Sequence, residues 1–172
     1  IIGANVVTDS VTATISDSAV TAGTTLDVTA ENGTVIFSAA GGAAFSTVAA
    51  AVTLAANVVT NHTEALVEGS TVIADDIGVH AFDIAFIQSA AGQVAIGVGG
   101  GVGTGVAYNV IADTTRAKVA GSTLTASAGS VSVRAGGTGD IEAFAASGAG
   151  GIGVGVAGTI AIQTISNTTE AL

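Results

Sequence analysis

The residues able to do acid–base or metal chemistry are few in this chain, and they do not gather. His62 and His80 are the only histidines, and there is no cysteine, so thiolate zinc sites and disulfides are excluded. The adjacent acids Asp75-Asp76 have the charge for a hard cation, but such a site needs several converging oxygens. The glycine-aspartate nonapeptide of calcium-binding β-rolls is missing, so the pair reads as a polar turn. The glycine run from Gly97 to Gly105 has the composition of a phosphate loop. No Lys-Ser/Thr follows it and no helix start is evident, so that reading fails. Serines abound without a base and an orienting acid at any recurring spacing. The two histidines read as solvated surface residues. No catalytic, cofactor-binding or metal-ligating residue is assigned, no cofactor is expected, and the chain reads as a non-enzyme.

Two further patterns carry surface chemistry. Asn32-Gly-Thr34, Asn61-His-Thr63 and Asn167-Thr-Thr169 fit the glycosylation sequon, a mild excess over chance. Thr12-Ala-Thr14 and Thr123-Leu-Thr125 are Thr-x-Thr triplets of the kind that suits an ordered-water face, although they do not align with each other in the repeat described below.

Composition narrows the function classes further. Thirteen acids against three bases give a net charge of −10. Nucleic-acid binding needs cations to neutralise phosphates, and anionic membranes repel an acidic chain; neither partner is expected. With 9% charged and 49% hydrophobic residues, disorder is disfavoured. The stretches 92–112 and 143–169 carry no charge and are long enough for a membrane helix. Their glycines are costly in a helix, at roughly 1 kcal/mol each. Ile152-Gly-Val154-Gly-Val156 also alternates with period two, which is a strand pattern. Membrane insertion is not expected.

The elements that must position all of this repeat along the chain. Asn5-Val-Val-Thr-Asp9 recurs as Asn57-Val-Val-Thr-Asn61, as Asn109-Val-Ile-Ala-Asp113 and, more worn, as Gln163-Thr-Ile-Ser-Asn167, at offsets of 52, 52 and 54. Units of this size bury their apolar faces by stacking on neighbours. The spacing divides the single array 1–172 into a partial repeat 1–4, repeats 5–56, 57–108 and 109–162, and a partial repeat 163–172. Both ends fall in mid-repeat without capping sequence, so the chain reads as a window on a longer repetitive protein.

Within one unit, Arg116 to Val119 reads as a strand, Gly121-Ser122 as a bend, and Thr123 to Ala126 and Ser130 to Arg134 as further strands. Gly136-Gly-Thr-Gly139 reads as a turn, Ile141 to Ala146 as a strand, and a long strand follows Ser147–Gly150 from about Ile152 to Ile165. In the second unit the matching strands run from Gly78 to Ile87 and from Val94 to Ile111. Ser46 to Thr60 is Ala-rich and has helical character, but its place in the repeat argues strand. On the long strand, Ile152, Val154 and Val156 line one face while Gly151, Gly153, Gly155 and Ala157 line the other. The glycine face admits a second layer closely, and both faces are expected to be buried.

Equivalent positions of a parallel stack must tolerate being neighbours about 4.8 Å apart. Asn5, Asn57, Asn109 and Gln163 suit an amide ladder. Asp9, Asn61, Asp113 and Asn167 alternate acid with amide, and Thr12, Glu64, Arg116 and Glu170 avoid like charges side by side. Ser18, Ser70 and Ser122 form another column. The fold expected is an all-β parallel β-solenoid, β-helix-like and flattened, of about three 52–54-residue repeats with long Gly/Ala/Val strands. Whether each repeat makes one wide coil or two narrow ones stays open.

The phrases Asn167-Thr-Thr-Glu-Ala171, Val119-Ala-Gly-Ser-Thr-Leu-Thr-Ala126 and Gly153-Val-Gly-Val-Ala-Gly-Thr-Ile-Ala161 resemble the repeat regions of very large secreted bacterial exoproteins. These are the filamentous-haemagglutinin-like adhesins and the fusobacterial leukotoxin type. The resemblance covers nearly the whole chain. It implies secretion, an extracellular or cell-surface location, and a β-solenoid shaft in an adhesin stalk or filament, with no catalytic residues to carry over. Expected partners are neighbouring copies or further repeats added at open solenoid ends, and a host or cell-surface ligand. The alternative is a flat-faced binding module for ice or a ligand.

Overall fold

The computed structural model describes residues Ile1–Leu172, and the chain is strand throughout except at its corners. Ten strands follow in order: β1 (Ile2–Ser16), β2 (Ala19–Thr21), β3 (Thr25–Glu68), β4 (Thr71–Ala74), β5 (Asp76–Ile111), β6 (Thr114–Ala120), β7 (Thr123–Ala126), β8 (Val131–Gly150), β9 (Val154–Ile165) and β10 (Thr168–Ala171). Every pairing is parallel. β1 lies on β3 with Asn5 beside Asn57, and β3 lies on β5 with Asn57 beside Asn109. Each residue thus pairs with its equivalent one repeat on. One repeat makes one wide coil.

Three walls enclose the coil. The first long wall is built from the N-terminal half of β3, the N-terminal half of β5, and β8. The second holds β1, the rest of β3 and β5, then β6, β9 and β10. The short third wall is the sheet β2-β4-β7. Steps in register are confined to corners. Ala126 pairs with Ala74, whereas Val131 pairs with Ile77, so the two extra residues of the last repeat fall in the Ser127–Ser130 corner. A further shift lies between Ser46 and Val48, where the chain passes from the first wall to the second.

Side-chain size shapes the cross-section. Where all three walls meet, Val67, Val72, Ile77 and Val79 form the widest part of the core. Further along the long walls the core thins to Val59, Ile87 and Ile111, and then to Ala40, Ala55, Ala91 and Ala107. At the far edge the walls meet on glycine: a Cβ on Gly101 would stand 2.6 Å from the Ala95 carbonyl oxygen, and one on Gly103 2.8 Å from that of Gly148. The coil is a wedge, thick at the short wall and thin at the opposite edge.

Two sequence expectations change here. Gly136–Gly139 is no turn, because β8 runs unbroken from Val131 to Gly150; the reversal comes at residues 151–153, aligned with Gly97–Gly99 above it. Gly137 and Gly139 instead fit the interior, where a Cβ at Gly139 would approach Ile111, Ile165 and Asn167, while Gly136 lies outside beside the Phe82 ring. The long strand is also not buried on both faces. Its glycine face does pack inward, but Val98, Val102, Val154 and Val156 are exposed on the outside of the thin edge. Ser46 to Thr60 is strand, as its repeat position requires.

Candidate functional site

The interior is where most of the polar sequence columns converge. Asn5 Nδ2 donates to Asn57 Oδ1 at 2.8 Å, and Asn57 Nδ2 to Asn109 Oδ1 at 2.7 Å, so the amide ladder runs along the stack. Ser38 and Ser89, across the coil on the first wall, accept from Asn57 and Asn109. In the last coil Gln163 replaces the asparagine and Ala143 pairs with Ser89, so ladder and acceptor change together. The Ser column holds the corner after the second wall. Ser18 and Ser70 backbone N–H groups donate to Ser70 and Ser122 Oγ, and each serine hydroxyl returns to the carbonyl two residues before it. The corner residue before each serine has positive φ: Asp17, Gly69 and Gly121.

A second polar layer lies deeper toward the wide end. The Asn61 N–H donates to Asp113 Oδ1 at 2.8 Å, and the Asp113 N–H to Asn167 Oδ1 at 3.2 Å, so the acid–amide alternation carries the register. From the first wall Asp83 faces this column; its Oδ1 accepts from Asn61 Nδ2 and from Thr63 Oγ1. Asp83 and Asp113 are both buried, and each keeps one oxygen without a partner. Burial pushes the Asp113 carboxyl up to about 6, against the opposing Asn61 N–H, with Asp83 adding to the rise. Asp113 therefore takes up a proton nearer neutrality than an exposed carboxyl does. The facing Asp83 was missed in the sequence, because only the fold places residue 83 across from 113.

The residues singled out for chemistry stay apart. His62 lies on the outside of the second wall, 3.5 Å from Glu64. His80 lies on the outside of the first, stacked on Phe82 at 6.2 Å between ring centroids. Asp75 and Asp76 hold the next corner rather than forming a cluster: Ser127 Oγ donates to Asp75 and the Ser130 N–H to Asp76. The charge column pairs in part, with Arg116 Nε 2.9 Å from Glu170 Oε2. Asn61 is buried, and its sequon partner Thr63 is too. Alternation explains the excess of sequons: Asn and Thr two apart share one side of a strand, here the inward one. An Asn buried in this way is closed to glycosylation once the chain has folded. Thr123 and Thr125 lie on the short wall, outside, beside Thr71 and Ile73; Thr12 and Thr14 lie on the second wall.

The aromatic residues, which the sequence reading passed over, all face outward. Phe37, Phe45, Phe82, Phe86 and Phe144 occupy outer positions of the first long wall, and Phe37, Phe45 and Phe144 are each about 70% exposed. Phe37 and Phe86 meet edge to face at 6.0 Å. Between Phe37 and Phe144 runs a groove of about 510 Å³ floored by Ala39 and Ala90, with Gln88 and Glu142 alongside. Tyr108 is on the outside of the other wall. The available signal was parity, since Phe37 and Phe45 are out of phase with inward-facing Val28, Ile36 and Ala40. Comparison with protein-family models, with curated proteins and with solved structures finds no match.

Proposed function

We propose that this chain is a structural segment of an extracellular shaft, a piece of an adhesin stalk or filament in which coils stack one repeat per turn. The observation that carries the reading is the interior ladder. Asn on Asn, Ser on Ser and Asp on Asn link each coil to the next through bonds that only neighbouring repeats supply. Such columns give length and stiffness along the axis rather than a reaction centre. β1 and β9 each pair on one side only, and an unpaired strand edge accepts a further strand. Neighbouring copies or further repeats are the partners this supports. The secreted, bacterial-surface setting rests on the resemblance of the repeat phrases.

The test is fibre diffraction or cryo-EM of the native material. A meridional spacing of about 4.8 Å, with one rung for each repeat, is the expected result. Globular particles with no axial repeat would sink the proposal. The alternative of a flat binding face has one observation in its favour. The short wall presents Thr21, Thr71, Thr123 and Thr125 outward, although Ala19 and Ile73 interrupt the array. Absence of thermal hysteresis in the purified chain would remove the ice-binding version.

A further inference from the structure

We infer that the outer face of the first long wall binds cationic extended segments, with lysine or arginine side chains seated between its phenylalanines. A chain with five phenylalanines, no tryptophan and an aromatic-free core has put every phenylalanine on the outside of one wall. Rings this exposed are a poor use of apolar area for folding and mark contact surfaces. The same face carries Asp27, Glu31, Asp140 and Glu142, all exposed, against Arg134. Acid and aromatic groups together suit a guest that is positive at its tip and apolar along its stem.

The groove between Phe37 and Phe144 shows the recognition in detail. Gln88 Nε2 donates to Glu142 Oε2 at 2.7 Å. A carboxylate only accepts, so this bond fixes the amide with its nitrogen toward Glu142 and leaves its carbonyl oxygen free. The second Glu142 oxygen is free as well. The groove therefore offers acceptors between two aromatic rings, which an ammonium or guanidinium group satisfies and a carboxylate or phosphate does not. The floor of Ala39 and Ala90 leaves room for the alkyl stem. Phe82 beside Glu31 stands six residues along the strand from Gln88, and Asp27 stands four residues beyond Glu31. At about 3.3 Å per residue these are about 20 and 13 Å, whole multiples of the about 7 Å between alternate side chains of an extended peptide. The net charge of −10 adds long-range attraction. This inference does not depend on whether the coils belong to a fibre.

The experiment is calorimetric titration of the whole chain with a synthetic peptide of alternating Lys and Ala, with a Glu-Ala peptide and a Leu-Ala peptide as controls. Only the Lys-Ala peptide is expected to bind, more weakly as salt is raised. Phe37→Ala with Phe144→Ala should weaken binding at least fivefold, and Glu142→Gln about threefold. Phe37→Leu with Phe144→Leu keeps apolar area without the rings and should also weaken it. Tyr108→Ala on the opposite wall should leave it unchanged. All these side chains are exposed, and an unchanged circular dichroism spectrum establishes that each variant is folded. Equal binding by the double Phe→Leu variant, binding of the Leu-Ala peptide, or equal loss on Tyr108→Ala would each overturn the inference.

Discussion

Asp113 is the residue whose behaviour is most distinctive. An acid whose pKa rises on folding holds its proton more tightly in the folded chain. Its contribution is therefore fully present below the ordinary value of 3.8 and is lost as pH rises through about 6. Stability should accordingly increase on mild acidification, by on the order of 2 kcal/mol or less. Asp113→Asn keeps an oxygen for the Asn61 N–H and matches the amides already present at positions 61 and 167. Urea unfolding of this variant should be nearly independent of pH between 4 and 7 and stronger than the parent at pH 7. An unchanged slope would show that protonation of Asp113 is not linked to folding. The column containing Asp113 was legible in the sequence because repeat spacing brings equivalent residues together. The facing Asp83 was not, since the pairing across the coil depends on where the chain turns back.

Among the elements, the thin edge is set by glycines whose missing side chains let two walls touch. Gly101→Val would drive a side chain into the carbonyl oxygens of Ala95 and Gly150, which are backbone and cannot step aside. We expect a loss of about 3 kcal/mol, from overpacking with no route to relax. Gly33→Ala, with nothing within 4 Å of the new Cβ, should shift stability by less than about 0.5 kcal/mol. Thermal melts of the two variants, read together, test whether contact between walls or strand propensity decides. The Gly121-Ser122 bend was readable because positive φ and a serine column coincide there. Gly136–Gly139 was not readable as strand. Local chemistry favours a turn, and only the opposing wall explains why Gly137 and Gly139 must be small instead.

At the scale of the whole molecule, charge and greasiness are segregated. Every charged side chain lies toward the wide end or along the outer first wall, while the thin edge exposes Val98, Val102, Val154 and Val156. Exposed apolar area of this kind drives association. Sedimentation velocity is expected to show self-association that rises with concentration. Val102→Lys with Val156→Lys should reduce it severalfold, without large loss of stability because both side chains face outward. A chain that stays monomeric at high concentration would count against both the apolar contact and the filament form of the proposed shaft.

The sequence by itself determined the stacking. Repeat spacing, alternation and columns of self-compatible residues follow from the need of each unit to cover its own apolar face with a copy of itself, and these are properties of equivalent positions. Alternation also carried the outward side of the phenylalanines, but tertiary structure alone decided what lies across the coil. The taper from valine to glycine and the facing acids depend on contacts between residues that are not equivalent in the repeat. No spacing encodes those contacts, because they are set by where the walls fold back and how closely their backbones can approach.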